Sequence, residues 1–321
     1  MNIKDIGGEF ALIKKITQQI TDKSIITPIG DDCAVLQYNK DEYLLFTTDM
    51  LLEDIHFNFQ WFTVEQIGKK AIEVNVSDIL AKGGKPKYCV ISLGLPENIS
   101  VELVEELYKG IYKTAEKYNC SIVGGDTNKS EKLIINIAML GTVKKEKLCL
   151  RSGAKTGDLL CLSGYIGSSA AALAILKNKK EQELAAELSR IKNYFTEPTA
   201  EIRGEEIAEF ATAMIDISDG LASEVHHLCS MSCVGAIIYA DKIPIFKEVI
   251  DIASSLGNNP LDYALYGGED FALLFTIPKE SLDNLNNIFV IGEIVDKEEE
   301  IIIIKDGKKE RLENKGYDHF E

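Results

Sequence analysis

Long apolar runs are missing from this sequence. The longest, such as Ala170 to Leu176, fall far short of a bilayer span, so no transmembrane helix is expected. The opening residues, MNIKDIGGEF, show no basic start followed by an apolar stretch, and no secretory signal is expected from them. Proline is scarce, at 7 in 321 residues, and apolar residues make up 45% of the chain; together these exclude a disordered protein. Positive charge is short as well. Against 51 Asp and Glu stand 35 Lys and Arg, a net charge of −16 that repels nucleic acid and anionic membranes, so neither is an expected partner. No C-x-x-C pair occurs among Cys33, Cys89, Cys120, Cys149, Cys161, Cys229 and Cys233, and an odd, scattered set suits buried thiols in a reducing cytoplasm. Neither a G-x-x-x-x-G-K-[ST] loop nor H-R-D or D-F-G is present, which excludes P-loop and protein-kinase machinery.

What is there is an alternation of apolar, β-rich stretches with amphipathic ones, the pattern of an α/β (α+β) protein. The length favours two domains. Tyr43 to Thr48, Lys87 to Gly94, Ser121 to Val123 and Leu133 to Val143 read as strands. Between them, Val64 to Lys82 sets Ile67, Ala71, Val74 and Asp78 near one helical stripe, with Gly83-Gly84 as its stop. Ser100 caps a helix running to Tyr118. The charged segment Lys144 to Asp158 suggests a boundary near its start, giving domains 1–146 and 147–321. In the second, Leu159 to Ser163, Ala213 to Ile217, Ala236 to Ala240, Phe271 to Ile277 and Phe289 to Val295 read as strands. Gly167 to Leu176 reads as a helix, another begins near Asp219, and 297–304 reads as a turn into an edge strand.

Acidic residues recur at what read as the ends of apolar strands, beside Gly or hydroxyl side chains: Gly30-Asp31-Asp32, Thr47-Thr48-Asp49, Asn75 with Asp78 one helical turn on, Gly124-Gly125-Asp126-Thr127, and Asp216-Ile217-Ser218-Asp219-Gly220. Each alone reads as a turn residue or helix cap. Gathered at one edge of an α/β fold, they would repel one another unless a hard divalent cation sat among them. Mg²⁺ suits such oxygen ligands and is usually completed by substrate phosphates, which points to phosphoryl chemistry. Arg151 lies near the domain junction, where its fork of donors could clamp phosphate. His226 and His227 lack metal-ligand spacing, and Cys229 with Cys233 make a poor zinc site. His56 and Gly267-Gly268-Glu269-Asp270 stay open between a structural and a functional role.

As an ordered set these segments resemble the thiamine-monophosphate kinase family, within the superfamily of aminoimidazole ribonucleotide synthetase. The resemblance runs from Gly8-Glu9-Phe10 through the acidic motifs, His56-Phe57, Asn75-Val76-Ser77-Asp78, Arg151-Ser152-Gly153-Ala154 and Gly267-Gly268-Glu269-Asp270 to Gly316-Tyr317-Asp318-His319-Phe320. It implies transfer of the ATP γ-phosphoryl group to thiamine monophosphate. It also implies Asp32, Thr47, Thr48, Asp49, Asp78, Asp126, Asp216 and Asp219 as ligands of several Mg²⁺ ions, Tyr108, Gly125, Arg151 and Ser218 as ATP contacts, and His56, Glu269 and Tyr317 as contacts of the thiamine phosphate. A two-domain fold is implied, with the first domain forming a homodimer through a shared β-barrel. A carboxylate at Glu269 would attract the thiazolium charge, and Tyr317 could stack on a heteroaromatic ring.

The acceptor is a phosphate monoester whose second pKa of about 6 leaves it dianionic at neutral pH, so no general base is expected. Direct in-line transfer follows as the expectation. The alternatives are a ring-closing synthetase of the same superfamily and, in a different class, a non-catalytic metal-binding module, which the lack of an EF-hand pattern disfavours. Selenide-activating and hydrogenase-maturation relatives are disfavoured because no Cys precedes Cys33 and none stands near the final residues.

Overall fold

A computed structural model describes residues 2–6, 8–18, 20–27 and 29–317. Asp318, His319 and Phe320, part of the last matched motif, lie outside the described residues, as does the side chain of Phe10.

The first half builds α1 (Gly8–Ile16), β1 (Ile25–Thr27), β2 (Ala34–Gln37), β3 (Glu42–Leu52), α2 (Val64–Ala81), β4 (Lys85–Leu95), α3 (Val101–Lys117), β5 (Ser121–Lys129) and β6 (Ile134–Lys144). Its strands form one six-stranded sheet in the order β1-β2-β3-β6-β4-β5, antiparallel except where β4 meets β5. Helices α2 and α3 pack together, and α2 lies on the sheet against β3, β6 and β4.

The second half builds β7 (Leu159–Leu162), α4 (Ser168–Lys177), α5 (Ala185–Thr196), α6 (Gly204–Ile207), β8 (Ala213–Asp216), α7 (Leu221–Ser232), β9 (Gly235–Tyr239), α8 (Lys247–Leu256), α9 (Pro260–Tyr266), β10 (Leu273–Ile277), β11 (Phe289–Val295), β12 (Ile301–Lys305) and β13 (Lys308–Arg311). These strands form a seven-stranded sheet in the order β13-β12-β9-β11-β7-β10-β8.

The centre of the molecule is α2. Thr63 opens it with a capping box: its hydroxyl accepts from Gln66 N at 3.2 Å while Gln66 Oε1 accepts from Thr63 N at 2.9 Å. Gly83, at φ +69°, closes it, its N–H bonding Leu80 O at 2.9 Å; a Cβ there would press on the Lys147 carbonyl. Between its caps, α2 is buried nearly all round, because the sheet covers one side while β8, α5 and α6 of the second half cover the other. This enclosure draws Lys70, Glu73, Asn75 and Ser77, and Lys82 just beyond the helix end, out of water.

Three positions differ from the sequence reading, and β1, β2, β13, α1, α5, α6, α8 and α9 have no counterpart in it. The motifs carrying Asp49 and Asp126 do not end strands: β3 runs on to Leu52 and β5 to Lys129. In β3 the reason is that β6 continues the ladder beside the polar residues, with Thr48 opposite Ala138 and Asp49 opposite Ile137. Nor is β12 an edge strand, since it lies between β9 and β13.

Candidate active site

Strand alternation decides which side chains of the Thr47-Thr48-Asp49 motif can act together. Thr47 and Asp49 face inward toward α2, in line with buried Leu45 and Leu51, whereas Thr48 lies on the outer face with its hydroxyl 3.3 Å from Asn136 Oδ1. Thr47 Oγ1 donates to Asp78 Oδ2, and Asp49 N donates to Asn75 Oδ1 at 3.1 Å, so β3 and α2 are stitched together by the motif's own polar groups. From the second half, Asp216 at the end of β8 accepts from Ser77 Oγ at 2.5 Å. Asp32, Asp78 and Asp216 thereby bring one carboxylate oxygen each within 4.8 Å of the others.

At an effective dielectric of about 20, two like charges at such a separation repel by roughly 3–4 kcal/mol. Burial, followed by the charges of Asp49, Asp216 and Asp32, pushes the Asp78 carboxyl well up. Burial first and Asp32 second raise Asp216 to about 7. Asp49 rises to about 6, chiefly through burial. Asp32 moves the other way. Burial opposes its ionisation, but Arg151 and Lys82 outweigh that and hold it below the usual carboxylate range.

Arg151 bonds Asp32 Oδ1 through Nε at 2.8 Å and through its Nη2, and its backbone N–H reaches Asp31 Oδ2 at 3.0 Å. Lys82, fully buried, places Nζ 2.5 Å from Asp31, 2.7 Å from Asp32 and 3.0 Å from the Met214 carbonyl. Lys82 thus joins the Asp31-Asp32 segment to β8, and Arg151 joins the same segment to the chain before β7.

The other expected residues form a second group. Glu269 N donates to Ser218 O at 2.8 Å, and Tyr317 N donates to Asp219 O at 3.1 Å, so three loops distant in sequence converge. Tyr317 keeps an exposed ring, and burial together with Glu269 and Asp219 raises its phenol. His56 accepts from Leu52 N at 3.0 Å through Nδ1, which places the neutral ring's hydrogen on Nε2. Asp126 is exposed on β5 beside Asn128 and is not one of the three carboxylates that meet. Gly125 lies against β4, where a Cβ would run into the Ile91 carbonyl oxygen, and Tyr108 packs on Tyr112 on α3.

Four charged residues escaped the sequence reading: Lys82, Lys70, Glu73 and Glu224. Buried Glu224 accepts from Asp219 N at 2.9 Å, and burial, followed by Asp219, pushes its carboxyl well up. His226 bonds the Leu312 carbonyl at 3.0 Å, a structural contact.

Comparison with known proteins gives this geometry a family. Residues 30–143 match the family described as AIR synthase related protein, N-terminal domain, and 155–305 match AIR synthase related protein, C-terminal domain. The thiamine-monophosphate kinase of Aquifex aeolicus is 40% identical over 321 residues, all of both chains, and that of Pyrococcus horikoshii is 40% identical over 91% of each. A solved structure described as AaThiL complexed with AMPPCP and TMP superposes with a TM-score of 0.88 at 39% identity, covering 100% of this chain and 99% of that one.

Proposed function

Because the chain belongs to the AIR synthase related protein family and aligns end to end with thiamine-monophosphate kinases, we propose that it transfers the γ-phosphoryl group of ATP to thiamine monophosphate, giving thiamine diphosphate and ADP. The observation that carries the reading is the meeting of Asp32, Asp78 and Asp216, drawn from both halves of the chain, at the junction of the two sheets.

The donor set fits Mg²⁺. Three carboxylates that repel one another when ionised, joined by the Thr47 hydroxyl and Asp49, offer hard oxygen ligands and a strong demand for positive charge. Asp32, Asp78 and Asp216 with Thr47 and Asp49 would hold one group of ions; Thr48, Asp126 and Asp219 would serve others nearer the phosphates. Bound Mg²⁺ supplies neutralisation of phosphate charge.

The chain's own groups bind and orient. Gly125, Ser218, Tyr108 and Arg151 are assigned to ATP. The guanidinium of Arg151, whose Nε and Nη2 are held by Asp32, would turn its outer donors to phosphate oxygens. The Nε2–H of His56 is a donor for the acceptor phosphate, Glu269 attracts the thiazolium charge, and the exposed ring of Tyr317 stacks on the substrate. The acceptor is already ionised at neutral pH, so no side chain removes a proton in the step. Transfer is direct and in line, with catalysis residing in positioning and charge neutralisation. Incubation with ATP, Mg²⁺ and thiamine monophosphate yields thiamine diphosphate and ADP in equal amounts. No product, or a phosphoryl group trapped on the protein, would defeat this reading.

The active form is a homodimer joined through the outer face of the first sheet. That face exposes Phe46, Met50, Tyr88, Val90 and Val123, and the strand register lines Phe46 and Tyr88 up across Leu140. A second copy of the same apolar face is the occupant such a surface suits. All seven thiols are unpaired, which supports a reducing, cytoplasmic setting, and among the described residues no helix is long and apolar enough to cross a membrane.

A further inference from the structure

Lys70 was not among the residues expected to take part in binding, yet its side chain is fully buried and touches two that were. Nζ lies 2.6 Å from Glu269 Oε1 and donates to the His56 carbonyl at 2.8 Å. The rings of Phe62 and Phe195 flank the ammonium, with centroids 5.3 and 5.2 Å away. Four segments therefore close around one cation: the His56 loop, the turn before α2, α5, and the loop between α9 and β10.

We propose that Lys70 is a positioning residue for the acceptor, holding the His56 backbone and the Glu269 carboxylate in fixed relation across the domain junction. The inference rests on the thiamine-phosphate reading of His56 and Glu269. Glu269 has a left-handed backbone, at φ +65°, and a side chain about a quarter exposed (27%), so water alone would leave its carboxylate free to turn. Its N–H is tied to Ser218, and its Oε1 to Lys70. Among the described residues Oε1 takes the Lys70 contact, so Oε2 is the oxygen that would meet a cationic ligand, and the backbone tie sets that contact beside Ser218.

A purely structural role is the weaker account of the same contacts. An apolar side chain of similar length would fill the space between Phe62 and Phe195, and replacing buried ion pairs by packed apolar groups is often neutral or stabilising. What the ammonium adds beyond packing is a fixed direction for the Glu269 carboxylate and the His56 carbonyl.

The test compares Lys70→Met, Glu269→Gln and the double variant, with Ile238→Val in the second sheet as a control for general loss of stability. Steady-state constants are measured for each substrate, and thiamine monophosphate binding is measured by calorimetry without ATP. Lys70→Met raises the KM for thiamine monophosphate roughly tenfold while leaving the ATP KM within about twofold. Because Lys70 acts through Glu269, the double variant binds the acceptor no worse than Glu269→Gln alone. Its pair is removed together, so it folds even where Lys70→Met does not. Equal shifts in both KM values, a lowered Tm with unchanged constants, or additive losses in the double variant overturn the proposal. Natural protein that neither binds nor turns over thiamine monophosphate overturns the functional reading, and this inference with it; normal turnover with unsplit constants overturns this inference alone.

Discussion

Replacing Asp216 by Asn separates what the carboxylate cluster does for the reaction from what it costs the fold. Asp216 is 2% exposed, and its carboxyl is displaced from 3.8 to about 7, first by burial and then by Asp32. A carboxyl whose folded pKa is raised stabilises the fold while protonated, and that stability is lost as pH climbs from about 3.8 through about 7. At pH 8 the metal-free protein therefore carries a strain on the order of 2–4 kcal/mol at this residue, shared with its neighbours. Asn keeps an acceptor for the Ser77 hydroxyl and removes the charge. Calorimetric scans in EDTA should show Asp216→Asn melting above the natural protein at pH 8, by roughly 4–8 °C at about 2 °C per kcal/mol, with the gain gone at pH 4. Mg²⁺ should then stabilise the natural protein more than the variant, and the variant should lack turnover. A variant that is less stable at both pH values, or that gains equally at both, would show that the carboxylates do not strain one another.

Arg151→Ala leaves Asp32 paired with Lys82 alone; a loss of about 1–3 kcal/mol in urea unfolding is expected, with a raised ATP KM, and unchanged stability would mean that the pair contributes nothing. Gly125→Ala drives a methyl into the Ile91 carbonyl, so a loss of about 1–3 kcal/mol should accompany any change in ATP binding; full stability with weak ATP binding would assign Gly125 to the nucleotide alone. Val90→Glu puts a charge on the exposed face of the first sheet and should halve the mass seen by light scattering, whereas an unchanged dimer would move the interface elsewhere. Tyr317→Ala should raise the KM for thiamine monophosphate more than that for ATP, and equal shifts would count against stacking.

Periodicity sufficed for α2, α3 and the longer apolar strands, because their apolar spacing is regular and the caps Thr63, Ser100 and Gly83 have the expected chemistry; the short strands β1, β2 and β13 carry too few apolar residues to show a pattern. The helices α5 and α8, absent from the sequence reading, carry the same signal in Leu188, Ile191 and Phe195, and in Val249, Ile252 and Ala253. The acidic motifs were legible as residue types, but not their setting. A run such as Thr47-Thr48-Asp49 looks like a strand's end until β6 is known to extend beside it. Lys70 and Lys82 were out of reach for a different reason. Lysines within or just after a helix read as a solvated face, and only the second domain closing over α2 turns them into buried counter-ions.

The most direct test of the account is anomalous diffraction from crystals grown with Mn²⁺, a non-hydrolysable ATP analogue and thiamine monophosphate. Peaks bounded by Asp32, Asp78 and Asp216, with the two phosphate compounds aligned end to end beside them, are the predicted result. Metal bound elsewhere, with those three carboxylates still held by protein groups alone, would contradict it.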